Sequence, residues 1–185
     1  MHNKIAFLQK TVLTLCIAIV GTFPKIVAQQ TLADAKASIL TVRELYFSKI
    51  NQDIDAVTDF NGYPEFWAID QMDTYTQALR ISRYHQGQLY TELYIVKNKK
   101  PIYAIEEIKA MRFNNYTQSV WRCEYFIKDD KVIDYISLGH GKTEDDAWEP
   151  GSILNQFDKR KDELEKIRKL DSATIKILGF VDCLL

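Results

Sequence analysis

Gln88-Leu89-Tyr90-Thr91-Glu92-Leu93-Tyr94-Ile95-Val96-Lys97 is the stretch on which the fold turns. Leu89, Thr91, Leu93 and Ile95 fall on one side of a period-two pattern, and Tyr90, Glu92, Tyr94 and Val96 on the other. Alternation of this kind, rich in β-branched and aromatic residues, marks a strand. Both rows carry apolar or aromatic side chains, so both faces of the sheet ask for a covering.

The pattern extends both ways from there. Residues 75–84 alternate, with Leu79 and Ile81 on one face and Arg80 and Ser82 on the other, and His85-Gln86-Gly87 turns the chain. Asn98-Lys99-Lys100-Pro101 is the next turn, and Ile102 to Phe113 carries a strand whose segment 106–111 fits a helical turn equally well. Asn114-Asn115-Tyr116 turns into 118–127, where Trp121, Cys123 and Tyr125 alternate with Arg122 and Glu124. Lys128-Asp129-Asp130-Lys131 then leads to a returning strand, Val132–Leu138. Polar two- to four-residue connections between alternating runs are hairpins.

Helical periodicity flanks this region. Leu32, Ala35, Ile39, Val42, Tyr46, Ile50 and Ile54 recur every three or four residues and predict a first helix over 32–54. Asp59 to Pro64 reads as a turn-rich linker, and Glu65 to Asp73 as irregular or briefly helical. A second helix is predicted over 152–170, with Ile153, Phe157, Leu164 and Ile167 on one side and charged residues opposite. Thr174 to Val181 is expected to add one short strand. The fold class is α+β: an antiparallel meander of about five to six strands flanked by an N-terminal and a C-terminal helix.

The N-terminus predicts export. Lys4 and Lys10 precede an apolar run from Thr11 to Phe23, and Ile26-Val27-Ala28 supplies a small residue for cleavage before Gln29. The run is shorter than the roughly 20 residues of a membrane-spanning helix. Cys16 lies within the run, behind Leu15 instead of a small residue, so it is not a lipid anchor. The expected domains are a signal peptide, 1–28, and a single α+β domain, 29–185, without a membrane span. Loss of Lys4, Lys10 and Lys25 takes 24 basic against 25 acidic residues to 21 against 25, a net charge of −4. That balance excludes a nucleic-acid surface, which needs excess positive charge. Cys123 and Cys183 remain after cleavage. Export permits a bridge between them, and two separate thiols fit the sequence as well.

No nucleophile elbow, zinc motif, phosphate loop or paired cysteine motif occurs. His85 and His140 are the histidines left in the mature chain, one at a hairpin tip and one between Gly139 and Gly141. Glu144, Asp145, Asp146 and Glu149 form an acidic run without EF-hand spacing, read as a solvated approach to the second helix. No catalytic residue, metal or cofactor is expected. The aromatic residues are the more distinctive feature. Tyr90, Tyr94, Trp121 and Tyr125 are the candidates for a face presented to a protein or small ligand.

Several segments carry a resemblance: Val42-Arg43-Glu44-Leu45-Tyr46 with Ile50-Asn51, Tyr84 to Leu89, Lys100-Pro101-Ile102-Tyr103, and Glu124-Tyr125-Phe126 with Asp130-Lys131-Val132-Ile133. Over about residues 40–170 the chain resembles a group of small, uncharacterised secreted proteins of Gram-negative bacteria. The chain departs from their pattern at Gly87-Gln88 and at Asp129-Asp130. The resemblance implies a periplasmic or secreted home and no activity. Tyr46 to Asp55 also resembles the end of a helix in the nuclear-transport-factor-2-like superfamily. That likeness implies a cone-shaped fold with a small-ligand pocket or an enzyme site, for which His140, Glu106 and Asp134 would have to meet. Two functions are therefore expected: first a non-enzymatic exported binding domain, second a pocket or enzyme of that cone fold.

Overall fold

The computed structural model describes residues 31–49, 53–111 and 117–181, with side chains to residue 170 except at Thr117. The expected signal peptide with Cys16, the turn at 114–116 and Cys183 lie outside the described residues. Contacts divide the chain into residues 1–41 and 42–185. Of the first unit, residues 31–41 are described, and they are helical.

Helix α1 covers residues 31–47, ending seven residues earlier than its periodicity suggests. Ser48 is the cause. Its backbone N–H still reaches Glu44 O, but its hydroxyl donates to Leu45 O at 2.8 Å, and Lys49 N closes a tighter turn onto Tyr46 O.

The second unit is built on a seven-stranded antiparallel sheet in strict sequence order. Its strands are β1 (Ala56–Phe60), β2 (Tyr63–Gln71), β3 (Thr76–His85), β4 (Gln88–Lys97), β5 (Lys100–Met111), β6 (Thr117–Lys128) and β7 (Lys131–Gly139). The α+β meander is thus present, with two more strands at its start than the pattern reading found. The segment read as a linker is the β1–β2 hairpin, and the ambiguous Glu65–Asp73 stretch is mostly β2. Asp59, Asn61 and Gly62 mislead because a two-residue turn uses the same residue types as a loop. Here Asn61 and Gly62 take positive φ, and Asp59 Oδ1 accepts the Gly62 N–H at 3.1 Å.

The same left-handed pairs close three other hairpins: Gln86-Gly87, Asn98-Lys99 and Asp129-Asp130. Positive φ at both central residues gives the turn whose twist matches the strands. The last of these pairs does so without glycine, because aspartate tolerates this conformation better than most residues.

Helix α2 spans Ser152–Val181, so the segment expected as a final strand continues the helix. A short apolar run does not distinguish a strand from a buried helical turn, and no glycine or proline interrupts the chain before Gly179. Ile153, Phe157, Leu164 and Ile167 are buried, and pack with Trp67, Leu79, Ile81, Tyr94, Trp121 and Tyr125 of one sheet face. We call this the helix face. The opposite side, the groove face, carries the alternate residues of each strand. A ladder across it runs Ala68, Arg80, Leu93, Ile105, Glu124 and Ile136. Among the described residues, no helix is long and apolar enough to cross a membrane.

Candidate functional site

The four aromatic residues singled out above share the helix face, but they are not an exposed patch. Tyr94, Trp121 and Tyr125 are at most 1 % exposed, and Tyr90 is partly buried. Their polar atoms are engaged within the molecule. The Tyr94 hydroxyl donates to Glu92 at 3.2 Å and that of Tyr125 to Glu106 at 2.7 Å. Burial, then the neighbouring carboxylates, pushes both phenols well above their ordinary range, so both stay protonated donors. Trp121 Nε1 donates to Ser137 and Thr143, and Tyr90 donates to Gln88. Cys123 is a free thiol in the same core, its pKa raised to about 11 by burial.

Glycines 139 and 141 explain the loop that carries His140. A Cβ on Gly141 would lie 2.4 Å from Trp121 Cγ, and one on Gly139 would lie 2.1 Å from Val120 O. The loop needs both glycines to lie flat on the Trp121 strand. His140 itself points outward, its side chain 90 % exposed, with Nδ1 2.5 Å from Glu144. That carboxylate raises its pKa, by hydrogen bond first and then by charge. Glu106 is buried and ion-paired with Lys142. Asp134 registers with Phe126 on the groove face. The three residues of the proposed enzyme set therefore do not meet. In the acidic run, Glu144 is spent on His140 and Asp145 accepts the Ala147 N–H. No group of three metal-binding side chains occurs among the described residues.

Under α2 the helix face holds an ionic cluster that pattern reading missed. Arg160 falls on the same three–four spacing as Ile153, Phe157, Leu164 and Ile167, and it is only 4 % exposed. Its Nε and Nη2 donate to Glu92 at 2.9 Å each, while Nη1 and Nη2 donate to Glu65 at 3.0 and 2.8 Å. The remaining Nη1 donor reaches Glu163 at 2.8 Å, so all five N–H groups are used. Arg83 adds a second cation at 3.0 Å from Glu65. Burial would raise the Glu92 pKa, yet the Arg160 hydrogen bonds and charge outweigh it and hold the carboxylate below its usual value. Two buried acids, Glu65 and Glu92, meet two guanidinium groups in a low-dielectric site, and Glu163 adds a third carboxylate at its more exposed rim. With every Arg160 N–H group used, this cluster pins α2 to the sheet.

The groove face differs. An open groove of ≈ 390 Å³ runs across it, walled by Tyr46 and Phe47 of α1 and floored by β2 to β6. Phe66, Leu89, Leu93 and Ile105 supply apolar floor; Arg80, Lys109 and Arg122 supply three cations against one lining acid, Glu107. Glu107 is already shared, 2.9 Å from Lys109 and 3.9 Å from Arg122. Arg122 also holds Glu124 at 2.8 Å. The Tyr46 side chain is almost wholly enclosed, the residue 3 % exposed, but its hydroxyl has no hydrogen-bond partner. Among the described residues, Asp70 Oδ2 on the same sheet face also lacks one, as do the nitrogens Arg43 Nε, His85 Nδ1 and Trp148 Nε1. A volume of this size is that of a small-molecule site.

No family model, no curated protein and no solved structure matches this chain. Its site therefore has to speak through geometry. The groove residues were individually visible as the polar or apolar alternates of their strands. What could have joined them is register, since Arg80, Leu93 and Ile105 become neighbours only when β3, β4 and β5 pair.

Proposed function

We propose that this chain is an exported, non-enzymatic binding domain that holds a small molecule in the groove opposite α2. The observation that carries the reading is the Tyr46 hydroxyl, enclosed and unpartnered in the wall of an apolar groove. A buried donor left unmet costs about 1–3 kcal/mol, and native proteins rarely keep one without a use. A ligand atom at that position would satisfy it. Among the described residues no histidine–carboxylate pair lines the groove, which supports binding over catalysis there, and the N-terminal pattern of residues 1–28 supports export to the periplasm or beyond.

The test uses the mature chain, residues 29–185, titrated with the neutral apolar dye N-phenyl-1-naphthylamine. Saturable one-to-one binding is expected, and Thr91→Trp, which fills the groove from a half-buried position, should abolish it without changing the circular dichroism spectrum. Absence of saturable binding, or a site indifferent to Thr91→Trp, would overturn the reading.

A further inference from the structure

The chemistry of the two ends of the groove says more about what fits between them. Lys109 and Arg122 stand at one end beside Glu107; Glu124 takes Arg122 Nε and Nη2, which leaves the three ammonium donors and Arg122 Nη1 facing the one Glu107 carboxylate. Toward the other end lie Arg80 and the unpartnered Tyr46 hydroxyl, whose electrostatic surroundings are Arg80 and Asp70. Acids gather there, since Asp70 also feels Asp55 and Asp53. Burial, followed by those two neighbours and against Arg80, raises the Asp70 pKa, the mark of a place where further negative charge is unwelcome. Between the ends the floor is Leu89, Leu93 and Ile105. Arg80 on β3 and Arg122 on β6 are three strand spacings apart and offset by two residues along the strand, about 16 Å in all.

We infer that the groove takes an amphipathic organic acid with one carboxylate against Lys109 and Arg122, an aliphatic or aromatic body over Leu93 and Ile105, and a neutral hydrogen-bonding group at Tyr46. This rests on the groove being the binding site and names the ligand class. A second carboxylate at the Tyr46 end would meet Asp70 and its acidic neighbours, so monoacids are preferred to diacids.

The test is displacement of N-phenyl-1-naphthylamine from the mature chain by four ten-carbon probes: decanoate, 10-hydroxydecanoate, decanedioate and decanol. A charge-assisted hydrogen bond at about 1.5–3 kcal/mol predicts that decanoate displaces the dye at roughly tenfold lower concentration than decanol. The 10-hydroxy acid should bind tighter than decanoate by a few-fold, the span of one neutral hydrogen bond, and decanedioate weaker than the hydroxy acid. Lys109→Gln, at a side chain 34 % exposed, should shrink the advantage of decanoate over decanol. Tyr46→Phe should remove the advantage of the hydroxy acid and leave decanoate unchanged. If decanol competes as well as decanoate, or Lys109→Gln changes nothing, the acid inference fails while the groove stands as a site. If the dye itself does not bind, the groove reading fails first and takes this one with it.

Discussion

The two faces of one sheet handle buried polarity in opposite ways. Beneath α2, Glu65, Glu92 and Arg160 are buried and Arg83 half-buried, and every N–H of Arg160 meets a carboxylate. On the groove face the Tyr46 hydroxyl and Asp70 Oδ2 are enclosed without a partner. Both arrangements sit on the same seven strands, so strand chemistry alone does not account for the contrast. The contrast comes from α2, which brings its own cation to complete the helix face. The Arg160 cluster, with every guanidinium N–H used, stabilises the fold, and an open groove with an unmet hydroxyl in its wall has affinity left for something else.

The largest break in this comparison should come from Arg160→Met. The substitution keeps the apolar stem but leaves Glu65 and Glu92 sharing only Arg83. Removal of one partner from a buried ionic group costs about 3–5 kcal/mol, which for a domain of this size lowers the melting temperature by roughly 10 °C. A loss no larger than that of an exposed-lysine control such as Lys161→Met would mean that the cluster does not hold the helix.

A matched pair of tyrosine variants sharpens the contrast. Tyr125→Phe takes a donor from buried Glu106 and should cost about 1.5–3 kcal/mol. Tyr46→Phe removes a hydroxyl that has no partner, and should leave stability unchanged or raise it by about 1 kcal/mol. Urea denaturation of the two variants under one set of conditions gives the comparison; equal losses would erase the distinction between the faces.

Acid should weaken the sealed face by a smaller, graded amount. The folded Glu92 pKa lies below its ordinary value of 4.5, so its contribution to stability is fully present above pH 4.5 and is lost as pH falls through the folded value. Glu124 shifts in the same direction: burial opposes, but Tyr103, Arg122 and Arg43 prevail. Melting temperature should therefore be level above about pH 5 and decline below 4.5, with a shallower decline in Glu92→Gln. An identical slope in that variant would assign the acid sensitivity to other carboxylates.

Local pattern went far with the fold. Period-two alternation from Thr76 to Leu138 marked β3 to β7, and the three–four spacing of Ile153, Phe157, Leu164 and Ile167 marked the buried side of α2. It went wrong where one residue type serves two structures. Asn61-Gly62 looked like linker because tight turns and loops use the same residues, and Ser48 ended α1 through a hydroxyl bond that periodicity does not register.

The candidate site was less legible. Tyr94, Trp121 and Tyr125 are conspicuous in the chain, and it is for that bulk that they are core. Arg160, on the apolar stripe of its helix, was readable as an anomaly but not as a cluster, since its partners are 68 and 95 residues away.

What the sequence by itself determined was which residues share a face of their own strand or helix, because backbone geometry sets those periods locally. Only the tertiary structure decided which face α2 would cover. That choice depends on pairing register and on long-range contacts such as Arg160 with Glu65 and Glu92, and it made one row of alternates the core and the other the groove.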